Sequence, residues 1–158
     1  MKNSTASKIH ATMIDITTAL HELVSIGGRE PVNEPLRVAL FTVLGHVDEL
    51  VDALPAVDGL PPRAPRPLEL RDVAVPSACS IPVQLEHAQA EKLCAIVLTL
   101  SARVNDTILW VREECDDAEF IAYRRRAGSV MGYLYLELER PLWRQYPDLE
   151  PAEMREPG

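Results

Sequence analysis

Residues 129–147 read SVMGYLYLELERPLWRQYP, and the regular structure they adopt decides the fold class of the chain. Strand alternation would set Tyr133, Tyr135, Glu137 and Glu139 on one face and Leu134, Leu136 and Leu138 on the other. Helical spacing instead aligns Ala127, Val130, Met131, Leu134 and Leu138, with Pro141 and Leu142 continuing the face. An isolated strand would have nothing to pair with, so the stretch is expected to be helical. Pro141 must then kink or end the helix, and PLWRQYP forms a further turn before Pro147 stops it. Residues DLEPAEMREPG are expected to add one short turn and then fray.

Outward from this stretch the helical pattern repeats. Ile9, Met13, Ile16, Leu20 and Leu23 step by four and three, with Gly27-Gly28 placed as a helix stop. Leu36, Leu40, Val43, Val47, Leu50 and Leu54 do the same between a start at Asn33, Glu34 and Pro35 and an end at Pro55. A third helix starts between Val83 and His87 and runs to about Cys115 on the stripe Leu93, Val97, Leu100, Val104, Ile108 and Val111. Asp116 or Asp117 caps a fourth, carrying Phe120, Tyr123, Ala127, Met131, Leu134 and Leu138.

Between the two helix pairs, residues 55–83 hold seven of the thirteen prolines (Pro55, Pro61, Pro62, Pro65, Pro67, Pro76 and Pro82). Proline removes backbone donors and blocks helix continuation, so this is an extended crossover. Its PPRAP sequence could dock an aromatic groove, although a spacer needs no partner. The expected fold is all-α: one domain, residues 1–158, built as a four-helix bundle with a Pro-rich crossover and a short C-terminal turn or helix.

The chain has 158 residues and a net charge of −8. That charge weakens any case for nucleic acid or an anionic membrane, and suits a basic partner protein. The longest apolar run, CAIVL at 94–98, is far short of the ~20 residues of a membrane span. Three cysteines (Cys79, Cys94 and Cys115) without CxxC spacing leave at least one free thiol, which points to a reduced, cytoplasmic protein. No signal peptide is recognisable at the N-terminus.

Familiar chemistries lack their residues. None of His10, His21, His46 and His87 has a glutamate three positions before it, as di-iron bundles require. His87 and Glu91 lie one turn apart and read as a solvated face. There is no G-x-S-x-G, Cys94 lies in an apolar run, and Asp116-Asp117 would hold the Cys115 thiol protonated. Gly27-Gly28 lacks the rest of a P-loop. No catalytic, metal or cofactor residue is assigned, and the protein is read as not an enzyme.

Three features remain as candidates. Arg124, Arg125 and Arg126 form the only basic cluster; they fan around the helix, and at least one is expected to pair near Glu113–Asp117. Ala127, Gly128, Ser129 and Gly132 suggest close approach of another helix, within the chain or across a dimer. Tyr133, Tyr135, Trp143 and Tyr146 either cover their own core or form a contact surface.

The functional expectation is a non-enzymatic interaction module, a neutralising or regulatory partner of a basic protein or a homodimer, with acidic residues steering the encounter. The alternative is a small-ligand-binding bundle or enzyme with a pocket near Gly128, Gly132, Tyr133 and Trp143.

Overall fold

The apolar stripes read from the sequence form the interior. Ile9, Met13, Ile16 and Leu20 are fully buried, as are Leu40, Val43, Val47, Val97, Val104, Leu134 and Leu138. Burying side chains of this size contributes about 1.5–3 kcal/mol each before the entropy of ordering them is subtracted. A computed structural model describes residues 1–27, 34–55 and 85–155. Among these the chain is all-α: α1 (Asn3–Gly27), α2 (Glu34–Asp52), α3 (His87–Glu114) and α4 (Asp117–Tyr133) are the long helices. Helix α4 continues without a break into a π-helical turn (Leu134–Glu139) and α5 (Arg140–Gln145). Two 3₁₀ turns, Pro147–Leu149 and Ala152–Met154, come after it.

Helices α1 and α4 each pack against α2 and α3. Side-chain contacts fix the directions. Lys8 at the start of α1 meets Glu114 at the end of α3 (3.1 Å), and Asp15 meets Arg103 (3.4 Å), so α1 and α3 are antiparallel. Tyr123 reaches Thr107 and Glu139 reaches Ser101, which makes α3 and α4 antiparallel as well. His46 stacks on Tyr133, while Glu49 and Leu50 share a cleft with Arg126 and Ser129, so α2 opposes α4. His10 beside the carbonyl of Pro55 puts the end of α2 near the start of α1. Leu85, held by Tyr146, lies at the other end of the bundle. The Pro-rich crossover beyond Pro55, with Cys79, lies outside the described residues, as does the Asn33 cap.

Local chemistry explains the junctions. The Glu86 side chain and Gln89 form a reciprocal capping box at the start of α3. Asp116 caps α4 by accepting from the Glu119 amide at 2.9 Å. Only Cys115 and Asp116 separate the two helices, so α4 turns straight back onto α3. Glu114 and Glu119 hold the N-terminus: Glu114 accepts from Thr5 and Lys8, and the Met1 ammonium pairs with Glu119.

Pro141 does not end the helix; the π turn carries the chain past it. Proline has no amide to donate and its ring clashes with the carbonyl four residues back, here Glu137. In the wider turn the Arg140 amide donates to Tyr135, five residues back. The turn also re-aims the side chains beyond it. Trp143 lies nine residues after Leu134, about two and a half α-helical turns, and would face away from it in a regular helix. With the π turn inserted, Leu134, Leu138, Leu142 and Trp143 are all buried. Glu139, five residues after Leu134, is turned inward by the same shift, and Glu137, three residues after Leu134, is buried beside it.

Candidate functional site: the outer face of the fourth helix

The seven candidate residues fall into separate environments. Trp143 belongs to the core at 6% exposure, with its indole Nε1 lacking a hydrogen-bond partner among the described residues. Tyr146 closes the bundle end. Its hydroxyl donates to the Leu85 carbonyl, its ring meets His87 edge-on at 5.1 Å, and His87 pairs with Asp148 at 2.7 Å. The hydrogen bond from His87 holds the Asp148 carboxyl below its ordinary range. Trp143 and Tyr146 therefore cover their own core.

Tyr133 is half-buried between α4 and α2, stacked on His46 with ring centroids 3.7 Å apart and planes 13° from parallel. His46 in turn meets Glu49 at 3.2 Å. Beside this stack lies a shallow cleft of about 240 Å³ lined by His46, Glu49, Leu50, Arg126, Ser129 and Tyr133. Gly128, Gly132 and Trp143 do not line it.

The remaining candidates share the outer face of α4. Arg124 and Arg125 are exposed, and neither they nor Arg126 forms an ion pair with another described residue. The pairing expected near Glu113–Asp117 does not form, because Glu114 is committed to α1 and Asp116 to its cap. Along the same face Ile121 is 59% exposed, Tyr135 39% and Leu136 38%. Tyr135 leans its ring against Trp143, 6.0 Å between centroids. Gly128 and Gly132 lie between these apolar residues. A Cβ on either glycine would meet nothing within 4 Å, so among the described residues the close approach that small residues permit is not used.

Charge on this run is not what the whole-chain value suggests. Between Phe120 and Tyr146 every exposed charged side chain is an arginine: Arg124, Arg125, Arg126, Arg140 and Arg144. The two carboxylates of the run, Glu137 and Glu139, are buried. Burial pushes both carboxyls above their ordinary range; Glu139 Oε1 accepts from Ser101 at 2.8 Å, whereas Glu137 Oε2 has no hydrogen-bond partner among the described residues. The sequence does not reveal this basic strip, because it offers one net charge and no sign that the carboxylates at 137 and 139 are interior.

Compared with known proteins, the chain matches no protein family, no curated protein and no solved structure. Function therefore has to be read from the chain itself. Among the described residues no group of three or more His, Cys, Asp and Glu side chains is placed to hold a metal ion. Helix α3 is long and apolar enough by composition to cross a membrane; here Leu93, Val97, Leu100, Val104 and Val111 are buried against neighbouring helices. Burial pushes the Cys115 thiol up, with Glu119 adding to the effect, so it is poorly suited to act as a nucleophile.

Proposed function

We propose that the chain is a non-enzymatic protein-interaction module whose docking surface is the outer face of α4 and the π turn. The observation that carries this reading is the pair of open glycines between exposed Ile121 and exposed Tyr135 and Leu136. Each glycine costs ~1 kcal/mol relative to alanine in a helix interior, and no packing among the described residues offsets it. A partner element laid along the bare backbone would supply that packing and cover the flanking apolar groups.

The test is site-specific photo-crosslinking in the organism that carries the protein, from Ile121 and, as a control, from Leu109 on α3. A defined adduct from Ile121 but not Leu109, abolished by Gly128→Leu in a folded protein, is the expected result. If Ile121 yields neither a heterologous adduct nor a dimer, the reading fails.

The α2–α4 cleft supports a second reading, a small-ligand-binding bundle. Native mass spectrometry of freshly isolated protein should then show a bound mass that Tyr133→Ala and Arg126→Gln remove.

A further inference from the structure

We propose that the partner element is an acidic amphipathic helix, held by Arg124, Arg125 and Arg140 around an apolar contact with Ile121, Tyr135 and Leu136. This rests on the outer face of α4 being a docking surface, and adds the chemistry of the element that docks there.

The shape of the face selects a helix. Ile121, Arg125, Gly128, Gly132 and Tyr135 step by four, three, four and three, a single stripe along one side of the helix. From Ile121 to Leu136 it runs about 22 Å, or four turns, at 1.5 Å per residue. A partner helix of similar length presents anchors at matching i, i+3, i+4 and i+7 spacing. The glycines in the middle let its backbone approach closely, and the larger Ile121, Tyr135 and Leu136 grip it towards the ends.

Charge selects an acidic one. Arg124 and Arg125 come one turn after Ile121, and Arg140 one turn after Leu136, so cations flank the apolar contact near both ends. Arg124, Arg125 and Arg140 form no ion pair with a described residue, although the chain carries 24 Asp and Glu. Guanidinium groups left open beside an apolar strip match carboxylates on the rim of an incoming helix, where bidentate pairs fix its register.

Other occupants fit less well. In a parallel pair of α4 helices the arginines of one copy would meet those of the other, and in an antiparallel pair centred on the glycines Arg124 and Arg125 would face Leu136 and Tyr135, so a second copy offers these two guanidinium groups no carboxylate. A nucleic acid would meet the arginines but leave Ile121 and Leu136 with little to bury. It would also extend onto the rest of a chain whose net charge is −8.

The probe is a fluorescent helical peptide of about 20 residues with leucines at i, i+3, i+4 and i+7 flanked by glutamates, titrated with the full chain at low salt. Two control peptides carry glutamine or lysine in place of glutamate. The glutamate peptide should bind about ten-fold or more tightly than the glutamine peptide, with the lysine peptide weakest. The variant R124Q/R125Q/R140Q, with unchanged circular dichroism, should lose that preference and most of its salt dependence. Gly128→Leu should block all three peptides. Equal binding of the glutamate and glutamine peptides, no binding of the glutamate peptide, or wild-type affinity in the triple-arginine variant overturns the acidic-helix proposal. So does a dimer through this face that the triple-arginine variant leaves intact, or stronger binding of duplex DNA. The two levels are separable. If Ile121 cross-links a partner equally well in wild type and in the triple-arginine variant, the docking face stands and the acidic partner falls. If Ile121 captures nothing, the docking face itself falls.

Discussion

Tyr123 on α4 donates a 2.6 Å hydrogen bond to Thr107 on α3, and Thr107 donates onward to the Val104 carbonyl at 2.6 Å. Tyr123 and Thr107 are both buried, so the two hydroxyls satisfy each other where water cannot. Tyr123→Phe should cost about 1 kcal/mol, and Thr107→Val about 1–3 kcal/mol because it strands the buried phenol. The double variant should lose less than the sum of the singles, which a urea-unfolding cycle measures directly. Strict additivity would show that the hydrogen bond contributes nothing.

The same phenol makes an alkaline prediction. Burial pushes its pKa from 10.0 up to about 12. In the unfolded chain the group ionises first, so the folded state holds the extra proton between those values and stability falls as pH rises through them. Tyr123→Phe should lack that part of the decline. Parallel pH profiles for wild type and variant above pH 10 would contradict it.

Glu137 and Glu139 repeat the same effect at lower pH. Burial raises both carboxyl pKa values, so the unfolded chain releases these protons first and folding is penalised as pH climbs through the carboxylate range. Glu137→Gln removes the ionisable group at nearly unchanged side-chain size. Glu139→Gln keeps an acceptor for Ser101. Each variant should melt close to wild type near pH 4 and above it by pH 8, with the gap widening between. A gap that shrinks with rising pH would mean the carboxylates are stabilising as anions.

Much of this fold is legible in the sequence because burial tracks helical spacing. The stripe from Ile9 to Leu23 is buried at every step, and that from Leu36 to Leu50 likewise, with Leu54 half-buried beyond it. The stripe on α3 slips by one place: Thr107 is buried and Ile108 only half-buried, because Tyr123 supplies the threonine with a partner that spacing cannot foresee. The π turn is signalled only by Pro141, which reads equally as a kink or an end. Missing the turn misplaces Glu139 and Trp143, so their burial is not legible, and a glutamate at 137 gives no sign of being interior. The basic strip is hidden for the same reason, since it emerges only when those carboxylates are counted as interior.

Asp116 offers a local test of the α3–α4 junction. It is exposed, and its side chain satisfies the Glu119 amide at 2.9 Å. Asp116→Ala should cost about 1 kcal/mol, whereas Asp116→Asn or Asp116→Ser should be close to neutral. Hydrogen exchange should report the loss at the first turn of α4 before any other segment. Uniform faster exchange over the whole chain would mean the cap acts only through global stability.

Gly128 and Gly132 separate stability from function most sharply. Neither has a positive φ, and a Cβ at either site would enter open space. Gly128→Ala and Gly132→Ala should therefore each stabilise the free protein by about 1 kcal/mol through helix propensity alone. Together they should raise the thermal midpoint by roughly 4–8 °C at this chain length. The added methyl groups stand on the face where a partner backbone is proposed to approach, so cross-linking from Ile121 should weaken while the melting temperature rises. A drop in stability would show that the face is already covered in the free protein. Unchanged cross-linking would show that the glycines do not contribute to docking, which would leave Ile121 and the apolar groups beyond the glycines to carry the contact.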